Sequence, residues 1–210
     1  MTLTLQNIHI ALQGRELVAL NTEIGPGEIL TVMGPSGSGK SSLFAFLAGF
    51  LDPAFQAFGQ VLVDGVDITT RPAHQRHLGW LFQDPLLFPH MDVAGNLLFA
   101  LPPHVKGKTA RRQRIDAALM EAGLEGFGPR DPDTLSGGQK ARVALMRTLL
   151  SEPKALLLDE PFSKLDTDLR GQMRDLVFVT AKRLQLPVVL VTHDEADAEA
   201  AGGKIIRLSA

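Results

Sequence analysis

The chain has 210 residues, enough to bury the core of one α/β domain. Its formal net charge of −2 supplies no sequence-independent pull toward nucleic acid. With no cysteine it has neither disulfides nor a thiolate metal site, a composition that fits a reducing compartment. The start, Met1-Thr2-Leu3-Thr4-Leu5-Gln6, lacks the basic and long apolar segments of a signal peptide, so none is expected. Apolar runs such as Val188-Val189-Leu190-Val191 are strand-sized, far short of a membrane span.

Residues 2 to 24 alternate loosely and break at Gln13-Gly14-Arg15, which predicts antiparallel strands joined by a turn. Gly25-Pro26-Gly27 is a second turn, leading into a short buried strand at Glu28-Ile29-Leu30-Thr31-Val32-Met33. Next comes Gly34-Pro35-Ser36-Gly37-Ser38-Gly39-Lys40-Ser41-Ser42, which matches G-x-x-x-x-G-K-[ST], the phosphate-binding loop. Glycines let the backbone curl so that successive N–H groups point inward at an anion. Lys40 would set its ammonium on the β- and γ-phosphates, and the Ser41 hydroxyl would ligate Mg²⁺. A helix opening near Lys40 adds the positive end of its dipole. Leu43, Phe44, Phe46 and Leu47 carry that helix at the right spacing until Gly49 offers a stop. Strand, loop and helix stand in the order that phosphate binding requires.

Asp52-Pro53 breaks the pattern, and Gln60-Val61-Leu62-Val63-Asp64-Gly65 reads as a strand and turn. A buried strand over His77–Phe82 delivers Gln83 to its C-terminal end. From Asp84 to about Leu135 the character changes to helices and Pro/Gly-punctuated loops. This predicts a helical subdomain inserted in the core, about 84–150, with helices over Val93 to Ala100 and Thr109 to Ala122. The basic group Lys106, Lys108, Arg111, Arg112 and Arg114 is read as a solvated helix face rather than a nucleic-acid patch, given the overall charge. Ala155–Glu160 is a buried strand ending in two carboxylates, Val188 to Thr192 another ending at His193, and Lys204–Leu208 a short last one. Strands alternating with helices imply a mostly parallel sheet, in which ligands bind beyond the C-terminal strand ends. The expected fold is therefore α/β: a P-loop NTPase core, an N-terminal antiparallel β subdomain and an inserted α-helical subdomain, all one domain over 1–210. Gln83, Asp159, Glu160 and His193 should converge on the phosphate loop.

Leu135-Ser136-Gly137-Gly138-Gln139 narrows the choice. Ser136 three residues before Gln139 is a capping box. A helix opening Ser-Gly-Gly also exposes N–H groups with little side-chain bulk, which makes a second anion-binding surface. Together with the phosphate loop, Gln83, Leu156-Leu157-Leu158-Asp159-Glu160-Pro161 and His193, this stretch resembles the ATP-binding-cassette family, whose signature is LSGGQ. The likeness covers about residues 3 to 208, and the chain resembles the short type of ATPase subunit that energises import of thiamine, iron, sulfate or polyamines.

The resemblance implies a role for each of these residues. Asp159 is similar to the Walker B acid that holds Mg²⁺ through water, and Glu160 to the residue that activates the attacking water. Gln83 resembles the glutamine that reaches metal and water, and His193 the switch histidine that contacts the γ-phosphate. Ser163-Lys164-Leu165-Asp166 is similar to the [NT]-K-x-D of guanine-specific GTPases, but Asp159-Glu160-Pro161-Phe162 is not their D-x-x-G partner motif. It resembles instead the D-loop, with Asp166 at the subunit boundary. In the family, Ser136, Gly137, Gly138 and Gln139 complete the nucleotide site of a second copy, head to tail, so an ATP-dependent homodimer is implied. Gln83-Asp84-Pro85-Leu86-Leu87-Phe88-Pro89-His90-Met91 resembles the surface on which separate permease subunits dock. That places the protein at the cytoplasmic face of the membrane, with an external solute-binding protein acting through the permease and no nucleic acid.

Three departures stand out. The family stacks adenine on an aromatic near the end of the first strand; this chain has no tyrosine, and Ala11 or Leu12 falls there, so Leu12 is expected as an apolar platform. Lys164 replaces a small D-loop residue. The regulatory C-terminal domain of some importer ATPases is not expected. A soluble cassette ATPase acting on DNA or ribosomes is the competing class; such proteins usually carry a coiled-coil insertion or two cassettes. A small-molecule kinase would leave the signature and Glu160 unexplained.

Overall fold

The computed structural model describes residues 1–209. The chain divides into two compact units, one of Met1–Trp80, Lys154–Glu160 and Phe178–Ala210, the other of Leu81–Pro153 and Pro161–Val177.

In the first unit, β1 (Leu3–Leu12) and β2 (Arg15–Ile24) form the antiparallel pair expected around Gln13-Gly14. With β4 (Phe55–Val63) and the short β5 (Val66–Asp67) they make a four-stranded sheet in the order β2-β1-β4-β5. The second sheet runs β6-β7-β8-β3-β9, from β6 (Leu78–Leu81), β7 (Ala155–Asp159), β8 (Val188–Val191), β3 (Ile29–Met33) and β9 (Lys204–Arg207). Its pairs β7–β8, β8–β3 and β3–β9 are parallel. Every residue of β3 and β8 is buried, Thr31 being the one polar side chain in the two strands, as fits strands covered on both faces.

β4 begins at Phe55, five positions before the start expected at Gln60. Its first half alternates between half-buried and exposed positions, but Phe58 falls on the exposed side at 64% and Gly59 on the inner side, so apolar pattern alone does not mark it. Backbone pairing with β1 makes it a strand: Leu12↔Phe55, Ala11↔Gln56, Ile10↔Ala57 and His9↔Phe58. The register then shifts between Gln6 and His9. At that bulge Gly59 has φ +110°, and a Cβ there would lie 2.4 Å from the Asn7 carbonyl oxygen.

Helix α1 (Lys40–Ala48) ends at Gly49, left-handed at φ +83°, as its glycine stop implied. The buried Arg76 closes the same end. Its guanidinium donates to the carbonyls of Phe46 and Leu47 (both 2.8 Å), Arg71 (2.8 Å) and Thr69 (2.5 Å), tying the last turn of α1 to the segment after β5. Burial holds the Arg76 pKa below its ordinary value, with Asp67 acting in the opposite sense.

The second unit holds α2 (Val93–Ala100), α3 (Lys108–Glu121) and α4 (Gly137–Leu150), the first two within one residue of expectation. α5 (Thr167–Arg183) runs from this unit into the first, and α6 (Glu195–Ala201) lies in the first. The basic residues of α3 behave as a solvated face: Arg112 pairs with Asp116 at 2.9 Å, Arg114 with Glu152 at 2.5 Å, and Arg111 donates to the Val105 carbonyl.

Candidate functional site

The phosphate loop joins β3 to α1 and lines a cavity of about 810 Å³. Two of its glycines are sterically required. A Cβ on Gly34 would sit 2.6 Å from Ser38 Oγ and 2.8 Å from the Leu208 carbonyl oxygen. On Gly39, at φ +93°, it would meet Val18 at 2.8 Å and Leu17 at 2.9 Å, so β2 packs directly on the loop. Gly39 is also the N-cap of α1 and offers no side-chain acceptor; no acidic residue occupies the first turn. The first-turn N–H groups of α1 are thus left for an anion, with the helix dipole behind them.

Lys40 Nζ donates to the carbonyls of Gly34 and Pro35, both at 2.7 Å. Two of its three donors thereby fix the ammonium inside the loop, and the third is left for a phosphate oxygen. The Ser38 hydroxyl is buried and has no hydrogen-bond partner among the described residues. Ser36, Gly37, Ser41 and Ser42 also line the cavity, with Ser41 exposed.

Two strand ends bring carboxylates and a histidine to this loop. Asp159 ends β7, and its carboxyl is pushed above the ordinary aspartate value by burial and then by the neighbouring Glu160, while Lys40 pulls it down. Two adjacent carboxylates of this kind call for a cation. Glu160, one residue beyond the strand, lines the cavity with φ +45°, a left-handed backbone rare for a residue with a side chain. Its N–H donates to the Val191 carbonyl at 2.9 Å, which locks the turn against β8. Strain kept at such a position marks a site where side-chain direction matters more than local stability. Glu160 Oε1 lies 3.1 Å from His193 Nδ1, and His193 follows β8 into the same cavity. A carboxylate beside an imidazole, facing a phosphate cradle, can orient a water and pass its proton on.

Mg²⁺ fits the donors that are present. The described residues contain no group of three or more His, Cys, Asp or Glu able to hold a metal. They supply one destabilised carboxylate, Asp159, and one exposed hydroxyl, Ser41. Mg²⁺ characteristically takes few protein ligands and completes its shell with phosphate oxygens and water.

Leu12 lines the cavity, together with Gln13, Arg15, Leu17 and Phe55, which sequence reasoning did not place at the site. The remaining expected residues lie in the second unit. Ser136 caps α4 by accepting from Gln139 N at 3.3 Å, and Gln139 Oε1 accepts from Ser136 N at 2.9 Å, the full capping box. Gly138 is buried, and a Cβ there would come 3.1 Å from Leu169, whereas around Gly137 the space is open. Asp166 caps the start of α5 by accepting from Leu169 N at 3.0 Å.

Gln83 donates to Ser163 Oγ at 3.1 Å. One position further along both segments, Lys164 pairs with Asp84. Sequence reasoning missed Arg147 and Asn96. Arg147 donates to the carbonyls of Leu86 (2.8 Å) and Pro85 (3.0 Å) and lies over the Phe88 ring. Asn96 is fully buried and bonds both backbone groups of Phe88 and the carbonyl of Met91. The loop over 85–91 is therefore rigidly held, with Leu86 left 56% exposed and Phe99 of α2 68% exposed.

The model of the family described as ABC transporter matches residues 17–163. The chain belongs to the ABC transporter family. It is 49% identical over 199 residues to an ABC transporter ATP-binding protein of Escherichia coli K12, YnjD, covering 94% of this chain and 91% of that one. The Fe(3+) ions import ATP-binding protein FbpC of Vibrio cholerae is 41% identical, over 89% of this chain and 52% of its own length. The chain thus spans about half of that relative. The thiamine import ATP-binding protein ThiQ of a Jannaschia species is 39% identical over 98% of this chain and 88% of its own. Among solved structures, a dimeric ATP-binding cassette, MJ0796, in a post-hydrolysis state bound to ADP and Pi superposes with TM-score 0.80 at 29% identity, covering 98% of this chain and 94% of that one. The protein is accordingly an ATP-binding ATPase of this family with the P-loop NTPase fold, built on a parallel sheet and an antiparallel one.

Proposed function

We propose that this chain is the energising subunit of an importer: a single cassette, peripheral to the cytoplasmic face of the membrane, that pairs head to tail with a second copy on ATP and drives separate permease subunits. The observation carrying the catalytic part is Glu160, held at φ +45° on the cavity wall 3.1 Å from His193. In this reading the loop from Gly34 to Ser42 grips the phosphates, Glu160 polarises the attacking water, and His193 steadies Glu160 and the γ-phosphate. Mg²⁺, held by Ser41 and through water by Asp159, would supply neutralisation of charge developing on the β/γ-bridging oxygen. The roles of Gln83 at the metal and of Ser136, Gly137, Gly138, Gln139 and Asp166 toward a second copy rest on the family resemblance and on the dimeric state of the MJ0796 cassette.

Transport is supported by relatives named for import of iron and thiamine, and by the exposed Leu86 on a loop that Arg147 and Asn96 keep from collapsing. No helix among the described residues is long and apolar enough to cross a membrane. In this reading the membrane path is supplied by separate permease subunits. An external solute-binding protein would act through them.

The test is Glu160→Gln. The variant should bind ATP, lose turnover by at least about 10²-fold, as expected for a positioned general base, and accumulate as an ATP-bound dimer on gel filtration. Wild-type hydrolysis by this variant would refute the assignment. Co-purification with nucleic acid or ribosomes in place of a membrane protein would favour the non-transport class.

A further inference from the structure

The family-typical aromatic is missing from the end of β1, yet the cavity has an aromatic wall. In the sheet register Arg15 pairs with Leu12, and Leu12 pairs with Phe55, so the three residues lie side by side across β2, β1 and β4. Directly paired residues on neighbouring strands project to the same face. All three line the cavity that also contains the phosphate loop.

The placement suits a nucleotide lying on the loop. β2 touches Gly39 through Val18 and Leu17, and past the register shift Arg15 stands opposite Leu12 as Val18 stands opposite Ile10, on the same face and roughly 6.6 Å along the sheet. Phe55 stands two strands over, roughly 9.6 Å across. Together these put it roughly 12 Å from the loop, the region a base reaches when its phosphates sit in the cradle. Phe55 is half-buried against the edge of the core and has no ring contact with another aromatic among the described residues. Its neighbour Phe58 is different: it stacks on His9 with centroids 4.6 Å apart and does not line the cavity. Arg15 is exposed, and its side chain makes no hydrogen bond or ion pair among the described residues.

We propose that Phe55, delivered by β4, is the stacking platform for the purine base of the bound nucleotide, with Leu12 extending the apolar surface and Arg15 supplying a cation beside the base or the ribose-proximal phosphate. The function absent from β1 is moved one strand sideways. The inference rests on the reading that the triphosphate occupies the Gly34–Ser42 loop.

The experiment measures equilibrium binding of ATP and of inorganic tripolyphosphate, a probe that has the phosphates and no base. Phe55→Ala should weaken ATP about tenfold or more, in line with the loss of one base–aromatic stack, and leave tripolyphosphate within twofold of wild type. Phe55→Trp should restore ATP affinity and add a fluorescence signal, beyond that of Trp80, which ATP quenches and tripolyphosphate does not. Phe58→Ala, from the same strand outside the cavity, should change neither ligand. ATP affinity unchanged in Phe55→Ala, or equal losses for ATP and tripolyphosphate, would overturn the proposal. Failure of the reading beneath it looks different: Lys40→Ala would leave both ligands bound as in wild type, and the platform would fall with it.

Discussion

Replacing Arg76 by methionine keeps the side chain's bulk and removes every donor it carries. The carbonyl of Phe46 retains the Gly49 N–H at 3.2 Å, but those of Leu47, Thr69 and Arg71 lose their charged partner. A buried carbonyl left without a donor costs about 1–3 kcal/mol, and the loss is partly offset because no guanidinium has to be taken out of water. A net destabilisation of about 3 kcal/mol follows, and for a chain of this size that is a fall in melting temperature of roughly 6–12 °C. The assay is thermal unfolding with and without Mg·ATP. Because Arg76 grips the C-terminal turn of α1 and the phosphate loop sits at the other end, nucleotide at a hundred times its dissociation constant should add the same increment, about 2.7 kcal/mol, to variant and wild type. A fall below about 2 °C would mean that the guanidinium's desolvation cancels its bonds. Loss of the nucleotide increment would mean that the far end of α1 sets the geometry of the loop. Either result refutes the reasoning.

Asp159→Asn should raise the melting temperature of the nucleotide-free protein at neutral pH. The folded-state pKa of Asp159 lies above the ordinary 3.8, so its favourable contribution is complete below 3.8 and is lost as pH rises through the raised value. The gain from asparagine should therefore shrink as a pH series of melting curves approaches 3.8, and the extra stabilisation by Mg·ATP over ATP alone should diminish; a uniform gain at every pH would contradict the sign. Leu86→Ser, at the exposed tip of the loop held by Arg147, should leave the melting temperature within about 1 °C and abolish co-purification with permease subunits, whereas a large drop in stability would show that Leu86 packs on its own unit.

What the sequence made legible is what depends on local pattern. The phosphate loop, the Gly49 stop, the capping box at Ser136 and the buried runs of β3, β7 and β8 are each written in neighbouring residues. The unread parts depend on residues far apart in the chain. Arg147 reaches Leu86 across 61 positions, and Lys164 reaches Asp84 across 80, with no periodicity to announce either. The start of β4 was hidden because Phe58 faces solvent and Gly59 puts no apolar side chain at an inner position, and with it went Phe55, the aromatic the cavity wall contains. The left-handed turn at Glu160 is imposed by the bond to Val191 on the adjacent strand, which no property of Glu-Pro discloses.

Gln83 and Asp84 are fastened to Ser163 and Lys164 at consecutive positions, like two rungs of a ladder. One rung would let the two segments swivel about each other; two resist it. A displacement of the chain at Leu86, two residues past the upper rung, would therefore be felt at the lead-in to α5, and one beginning at Asp166 would be felt back at Leu86.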